Sequence, residues 1–166
     1  MKQSPSSGFR RGSGPEQEMI FLWPRSPELA SNMKTKLRQV GLRPTRTRVA
    51  LSAILFAKGD RHVTAEMLFE EANKAKVSVS LATIYNTLNQ FTEVGLLRQV
   101  AIDSSKSYFD TNNTEHHHFY IEDRHELMDV SPTDMIVGNA PVPPDSYEIV
   151  RVDVVVRLRR KDSKQI

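Results

Sequence analysis

Apolar positions recur along this chain at two periods. Leu81, Ile84, Leu88 and Phe91 fall at i, i+3, i+7 and i+10, one stripe of an α-helix. Ser80 before them suits an N-cap, and Gly95 after them a C′ position. Three shorter helices are expected upstream. One runs from Met33 to Val40 and ends at Gly41. The next starts at a Thr45 cap and reaches about Lys58, with Val49, Ile54, Leu55 and Phe56 as its apolar positions. The third runs from Thr64 to about Lys74 around Met67, Leu68 and Ala72. Two helices joined by a short turn, after an earlier helix, read as a helix-turn-helix. Leu96–Ile102 and Ser107–Asp110 then read as strands joined by a turn, a hairpin in the position of a wing.

Beyond Asn112 and Asn113 the pattern changes. Residues 118–121 and 127–130 read as strands around a turn. Ser131-Pro132-Thr133-Asp134 resembles a helix start, with room for about two turns before Gly138 and Pro141. From Val150 to Leu158 the even positions are apolar, the period of a strand with one buried face. The fold class expected is therefore α+β. Residues 33–111 form a winged helix-turn-helix domain and 112–160 a small α/β domain. Residues 1–32, rich in Ser, Pro and Gly, read as a disordered leader in which Trp23 stands alone; 161–166 read as a basic tail. A half of about 50 residues buries little core by itself, so pairing with a second copy is expected.

The polar face of the Ser80–Val94 stretch changes this picture from fold to function. Ser80, Ala82, Thr83, Asn86, Asn89 and Gln90 are small or neutral and polar, with Tyr85 on the edge. Lys and Glu would be ordinary on a solvated helix face. Amides, hydroxyls and small apolar groups hydrogen-bond base edges and touch thymine methyls. Arg43, Arg46 and Arg48 cluster with Thr45 at the start of an earlier helix. Cations there oppose the helix dipole, so helix energetics does not explain them, whereas phosphate or minor-groove contact does.

Charge follows the same division. The net formal charge is +3, but residues 33–108 hold twelve Lys/Arg against six Asp/Glu, and 109–150 hold one Arg against nine acids. A basic half suits double-stranded DNA and an acidic half suits cations. There is no cysteine, which removes disulfides, cysteine nucleophiles and cysteine-held zinc. No apolar run nears the roughly 20 residues of a membrane span, and no signal peptide is evident, so a cytoplasmic protein is expected. No metalloprotease, phosphate-loop or nucleophile-elbow motif occurs, so no enzyme is expected. On these residues two classes stay open, a DNA-binding regulator and a protein-binding adaptor. Salt-dependent duplex binding separates them.

His116, His117 and His118 are consecutive among five histidines, with acids on both sides. In extended backbone His116 and His118 point one way and His117 the other. Imidazole suits zinc, iron, manganese and haem iron, so a metal or haem sensor is expected here.

Several stretches together carry a family resemblance: Gly41-Leu-Arg-Pro-Thr-Arg-Thr-Arg48, His62-Val-Thr-Ala-Glu66, Leu81-Ala-Thr-Ile-Tyr-Asn-Thr-Leu-Asn-Gln-Phe91, Gly95-Leu-Leu97 and His116-His-His118. Over residues 33–160 the chain resembles the ferric uptake regulator superfamily. Its missing cysteines, its His-His-His-Phe-Tyr run and its ending resemble the iron response regulator branch. The resemblance implies a dimeric repressor on promoter DNA, with Arg43 in the minor groove and Tyr85 on thymine. Asn86 stands where the family often has Arg. It also implies a divalent-metal site (Mn²⁺, Fe²⁺ or Zn²⁺) with His62, Asp110 and His118, Tyr120 standing in place of a further histidine. No structural zinc is implied. The branch resembles a haem sensor, so haem binding at His116, His117 and His118 is the expected signal, with divalent metal as the alternative.

Overall fold

The computed structural model describes residues 27–104 and 107–161. Trp23, the rest of the expected leader up to residue 26, and residues 162–166 of the expected tail lie outside that range. The element order is α1 (Pro27–Gln39), α2 (Arg46–Phe56), β1 (His62–Val63), α3 (Ala65–Lys74), α4 (Leu81–Glu93), β2 (Arg98–Ala101), β3 (Ser107–Asp110), β4 (His117–Ile121), β5 (Glu126–Val130) and β6 (Val155–Leu158).

The described chain forms two compact units. One holds residues 27–58 and 65–87; the other holds 59–64 and 88–161. In the first, α1 packs on α2 and α2 on α3. Leu37, Leu51, Leu55, Leu68, Ala72 and Ile84 lose all solvent contact there. Two of the helices start at hydroxyl caps. Thr45 has extended backbone and its hydroxyl accepts from the Arg48 N–H at 3.2 Å. Ser80 does the same for the Thr83 N–H at 3.1 Å. Gly95 takes φ of +73°, open to glycine without strain, and its N–H returns to the Thr92 carbonyl.

α1 begins six residues earlier than the pattern suggested, so residues 27–32 are helix rather than leader. Pro27 stands at its first position, where the missing N–H is no loss, and Glu28 lies in its first turn.

The second unit carries two three-stranded sheets. The first has order β1-β3-β2, all antiparallel. The β2–β3 hairpin is the one expected from the sequence. β1 was not expected, because two residues carry no period. The second sheet has order β5-β4-β6, with β4 antiparallel to β5 and parallel to β6. Val100, Ile102, Tyr108, Tyr120 and Leu127 form one buried cluster in this unit.

Two expectations fail in this unit. No helix follows Ser131: its hydroxyl caps the Thr133 N–H and its carbonyl takes the Asp134 N–H, which closes a single turn. The final strand spans only Val155–Leu158; Val150 and Val152 are exposed while Val154, Val156 and Leu158 are half-buried, so the expected face is covered only over its second half. Alternation marked the apolar positions, but β4 offers a partner to the last four residues only. No helix among the described residues is long and apolar enough to cross a membrane.

Candidate metal centre and nucleic-acid interface

Two cross-strand pairs build the centre. In the first sheet His62 on β1 lies opposite Asp110 on β3. In the second, His118 on β4 lies opposite Asp129 on β5. His116, just before β4, shares the face of His118, as period two requires. One donor atom from each of His62, Asp110, His116, His118 and Asp129 lies within 4.8 Å of all the others. Donors on opposite sides of an ion bound at about 2.2 Å are about 4.4 Å apart, so the set closes on one ion with small shifts. Three imidazoles and two carboxylates match Fe²⁺, Mn²⁺ or Zn²⁺.

Individual contacts show the same convergence. Asp110 Oδ2 lies 2.8 Å from His116 Nε2 and 3.3 Å from His118 Nε2. The two imidazole nitrogens are 3.0 Å apart. His62 Nε2 lies 2.9 Å from Asp129 Oδ1 and 3.6 Å from Asp110 Oδ2. Despite those distances, it is buried without a hydrogen bond of acceptable geometry. Proximity without direction is what a nitrogen aimed at a shared central point produces. A bound cation would satisfy that nitrogen and both carboxylates at once.

Outer contacts orient the donors. His116 Nδ1 lies 2.8 Å from the Thr114 carbonyl and 3.4 Å from Arg98 Nη1. The carbonyl needs an N–H and the guanidinium needs a lone pair, so the two contacts exclude each other. The shorter one selects Nδ1–H donating to Thr114, which leaves the Nε2 lone pair for a metal. Asn112 serves both carboxylates: its backbone N–H donates to Asp110 at 2.8 Å and its amide to Asp129 at 3.1 Å. Burial alone would raise the Asp110 pKa. The hydrogen bond from His118, the nearby His62 imidazole and the Asn112 N–H outweigh it and hold the carboxyl far below the ordinary range. Asp129 is the solvent-facing donor, its side chain 37% exposed.

The three adjacent histidines separate as the strand period requires. His116 and His118 are buried in the centre. His117 lines a cleft of about 360 Å³ with Arg98, Arg151, Ile136 and Val152, which His116 and Glu115 also border. The His117 Nδ1 is buried without a hydrogen-bond partner. His62, Asp110 and His118, expected as metal donors, are brought together. His116 and Asp129 as donors were not foreseen. Tyr120 takes no part; its hydroxyl lies 3.0 Å from His125 Nδ1. The register of the β4–β5 hairpin was the signal that could have found Asp129.

On α4, Ala82, Tyr85, Asn86 and Asn89 face solvent and Thr83 is half-buried, while Ile84, Leu88 and Phe91 are fully buried. The Tyr85 hydroxyl donates to Glu66 Oε1 at 2.6 Å. Ser80, Arg43, Thr45 and Arg46 are also exposed; Arg48 is half-buried and donates from Nη1 to the Arg43 carbonyl at 2.9 Å.

Helices with small sheets and a buried His/Asp cluster define a small α+β protein with a candidate divalent-metal centre. Residues 39–141 match the ferric uptake regulator family, and the chain belongs to it. A peroxide-responsive repressor PerR of Staphylococcus aureus is 32% identical over 93 residues, which is 56% of this chain and 62% of that protein. The chain thus spans less than two thirds of the curated relatives it matches. The ferric uptake regulator of Pseudomonas aeruginosa, solved with manganese, aligns with a TM-score of 0.62 and 26% identity over 78% of this chain and 98% of that one. The Vibrio cholerae ferric uptake regulator shares the fold at a TM-score of 0.61 and 20% identity, over 76% and 98%.

Proposed function

We propose that this protein is a divalent-metal-responsive transcriptional regulator that binds double-stranded promoter DNA as a homodimer. The observation that carries the reading is the convergence of His62, Asp110, His116, His118 and Asp129 on one point. Mn²⁺, Fe²⁺ or Zn²⁺ bound there supplies the positive charge that holds two carboxylates together. Residues 33–111 act as the winged helix, and 112–160 dimerise and sense. Arg43, Thr45, Arg46 and Arg48 hold the DNA backbone or minor groove. Ser80, Ala82, Thr83, Tyr85, Asn86 and Asn89 read the major groove. The ion strengthens DNA binding to the extent that it binds the DNA-competent conformation more tightly than the other.

A second reading, haem as the signal in the manner of the iron response regulator branch, is favoured by one observation. His117 lines a cleft with apolar walls, two arginines and Glu115, and its buried Nδ1 has no hydrogen-bond partner. Haem at His117 leaves the five-donor centre intact. Haem at His116 or His118 dismantles it, because both are already committed there.

Selection from a randomised duplex library, with Mn²⁺ and with EDTA, tests the first reading. Mn²⁺ should yield a defined motif whose binding weakens steeply with salt. EDTA should weaken it at least tenfold, and equal binding in both would overturn the metal reading. A Soret titration of His117→Ala beside wild type tests the second. Haem uptake lost in His117→Ala, with Mn²⁺-dependent DNA binding retained, supports it; haem uptake unchanged in His117→Ala sinks it.

A further inference from the structure

We propose that residues 16–24, which precede α1, dock in a groove on the first unit and there exclude DNA. The groove, of about 800 Å³, lies between the first half of α1, the loop before α2, α2 itself and the turn after α3. Ala30, Val49, Ala50 and Val77 give it apolar walls, and Lys34, Arg46 and Lys76 border it as exposed cations. No acid among the described residues lines it. Apolar walls under a cationic rim fit an occupant that is apolar and acidic together.

Residues 16–24 have that composition. Glu16 and Glu18 stand directly before Met19, Ile20, Phe21, Leu22 and Trp23. The other charged residues in 1–26 are all basic (Lys2, Arg10, Arg11 and Arg25), so only this segment complements the rim. It also has the reach. Trp23 stands four residues before Pro27, at most about 14 Å along the chain. Leu29 and Ala30, in the first turn of the helix that Pro27 opens, line the groove. So short a tether raises the segment's effective concentration to about the millimolar range, where a weak contact suffices. Phe21 and Trp23 carry the largest apolar surfaces for burial there, with ring faces suited to the lysines and the arginine. Residues 16–24 precede the stretch matched to the family, 39–141, so that match assigns them nothing.

Thr45 and Arg46 border the same groove. Exclusion of DNA rests on the DNA-binding reading above, in which both residues hold the duplex; the docking does not. A segment docked in about four-fifths of molecules leaves one-fifth competent and weakens apparent DNA affinity about fivefold.

Trp23 is the single tryptophan of the chain, so its fluorescence in the full-length protein reports this segment alone. Wild-type emission should be blue-shifted and shielded from acrylamide. Lys34→Glu/Lys76→Glu should shift it to the red and raise quenching roughly threefold, with circular dichroism unchanged, and adding Glu16→Lys/Glu18→Lys should restore the wild-type signal. Ala50→Glu, which sets a charge on the apolar wall, should also release Trp23. Lys34 and Lys76 are exposed, so their pair decides the matter even where Ala50→Glu unfolds. Emission typical of exposed tryptophan in wild type overturns the proposal, as does shielding that no groove variant changes. Shielding lost on dilution places the segment in a second copy and overturns docking within one chain. Phe21→Ser/Leu22→Ser should bind the selected duplex about fivefold more tightly. Unchanged duplex affinity once Trp23 is released overturns the exclusion of DNA. Absence of duplex binding in every variant overturns the DNA-binding reading itself, while the fluorescence still decides the docking.

Discussion

Asp110 carries more of the centre than any other side chain, since it lies within 3.6 Å of His62, His116 and His118 and has no solvent exposure. Its depressed pKa is also a statement about stability. A group with a lower pKa folded than unfolded stabilises the fold above its unfolded value, and that contribution fades as pH falls toward the folded value. In the metal-free protein the unfolding free energy should therefore drop as pH falls below about 4. Asp110→Asn should flatten that acid limb and be less stable near neutral pH. Urea unfolding followed by circular dichroism at successive pH values checks both; identical acid limbs would refute the assignment. At this scale the sequence foretold the split of His116 and His118 from His117, because strand period is local. It did not foretell Asp129, whose place depends on pairing with His118 across β4 and β5.

Among elements, α4 was the most legible. Its stripe, its Ser80 cap and its Gly95 stop all stand where the residues indicate, because helix period and capping are set within a few residues. Ser80→Ala removes the acceptor for the Thr83 N–H and should cost about 1 kcal/mol, read as a lower thermal midpoint. An unchanged midpoint would mean that water replaces the cap without cost. α1 was legible only in its second half, since Pro27 and Glu28 are weak start signals without the packing of α1 on α2. β6 was over-read. Alternation is a property of nine residues, but strand formation needs a partner, and β4 supplies one for four.

For the whole molecule, the informative surface is what the second unit leaves uncovered. Ile136, Val142, Tyr147 and Val150 are strongly exposed apolar residues on the stretch between β5 and β6. Exposed apolar side chains gathered on one stretch of chain suit an association site, and the proposed dimer would cover them. Val150→Asp should convert the dimer to monomer in sedimentation at micromolar concentration, and DNA affinity should fall with it because two half-sites are no longer held together. A dimer that survives Val150→Asp together with Val142→Asp would place the interface elsewhere.

The sequence by itself determined what depends on near neighbours: helix and strand periods, caps, the polar face of α4, the arginine cluster and the opposed faces of the three histidines. Its motifs also sufficed for family membership. Tertiary structure alone decided the donor set, because His62, Asp110, His116, His118 and Asp129 come from β1, β3, β4, β5 and the residue before β4, and only strand register brings them within 4.8 Å. It also decided that His117 lines a cleft and that Tyr85 is held by Glu66. Those are contacts between elements, and no local period encodes them.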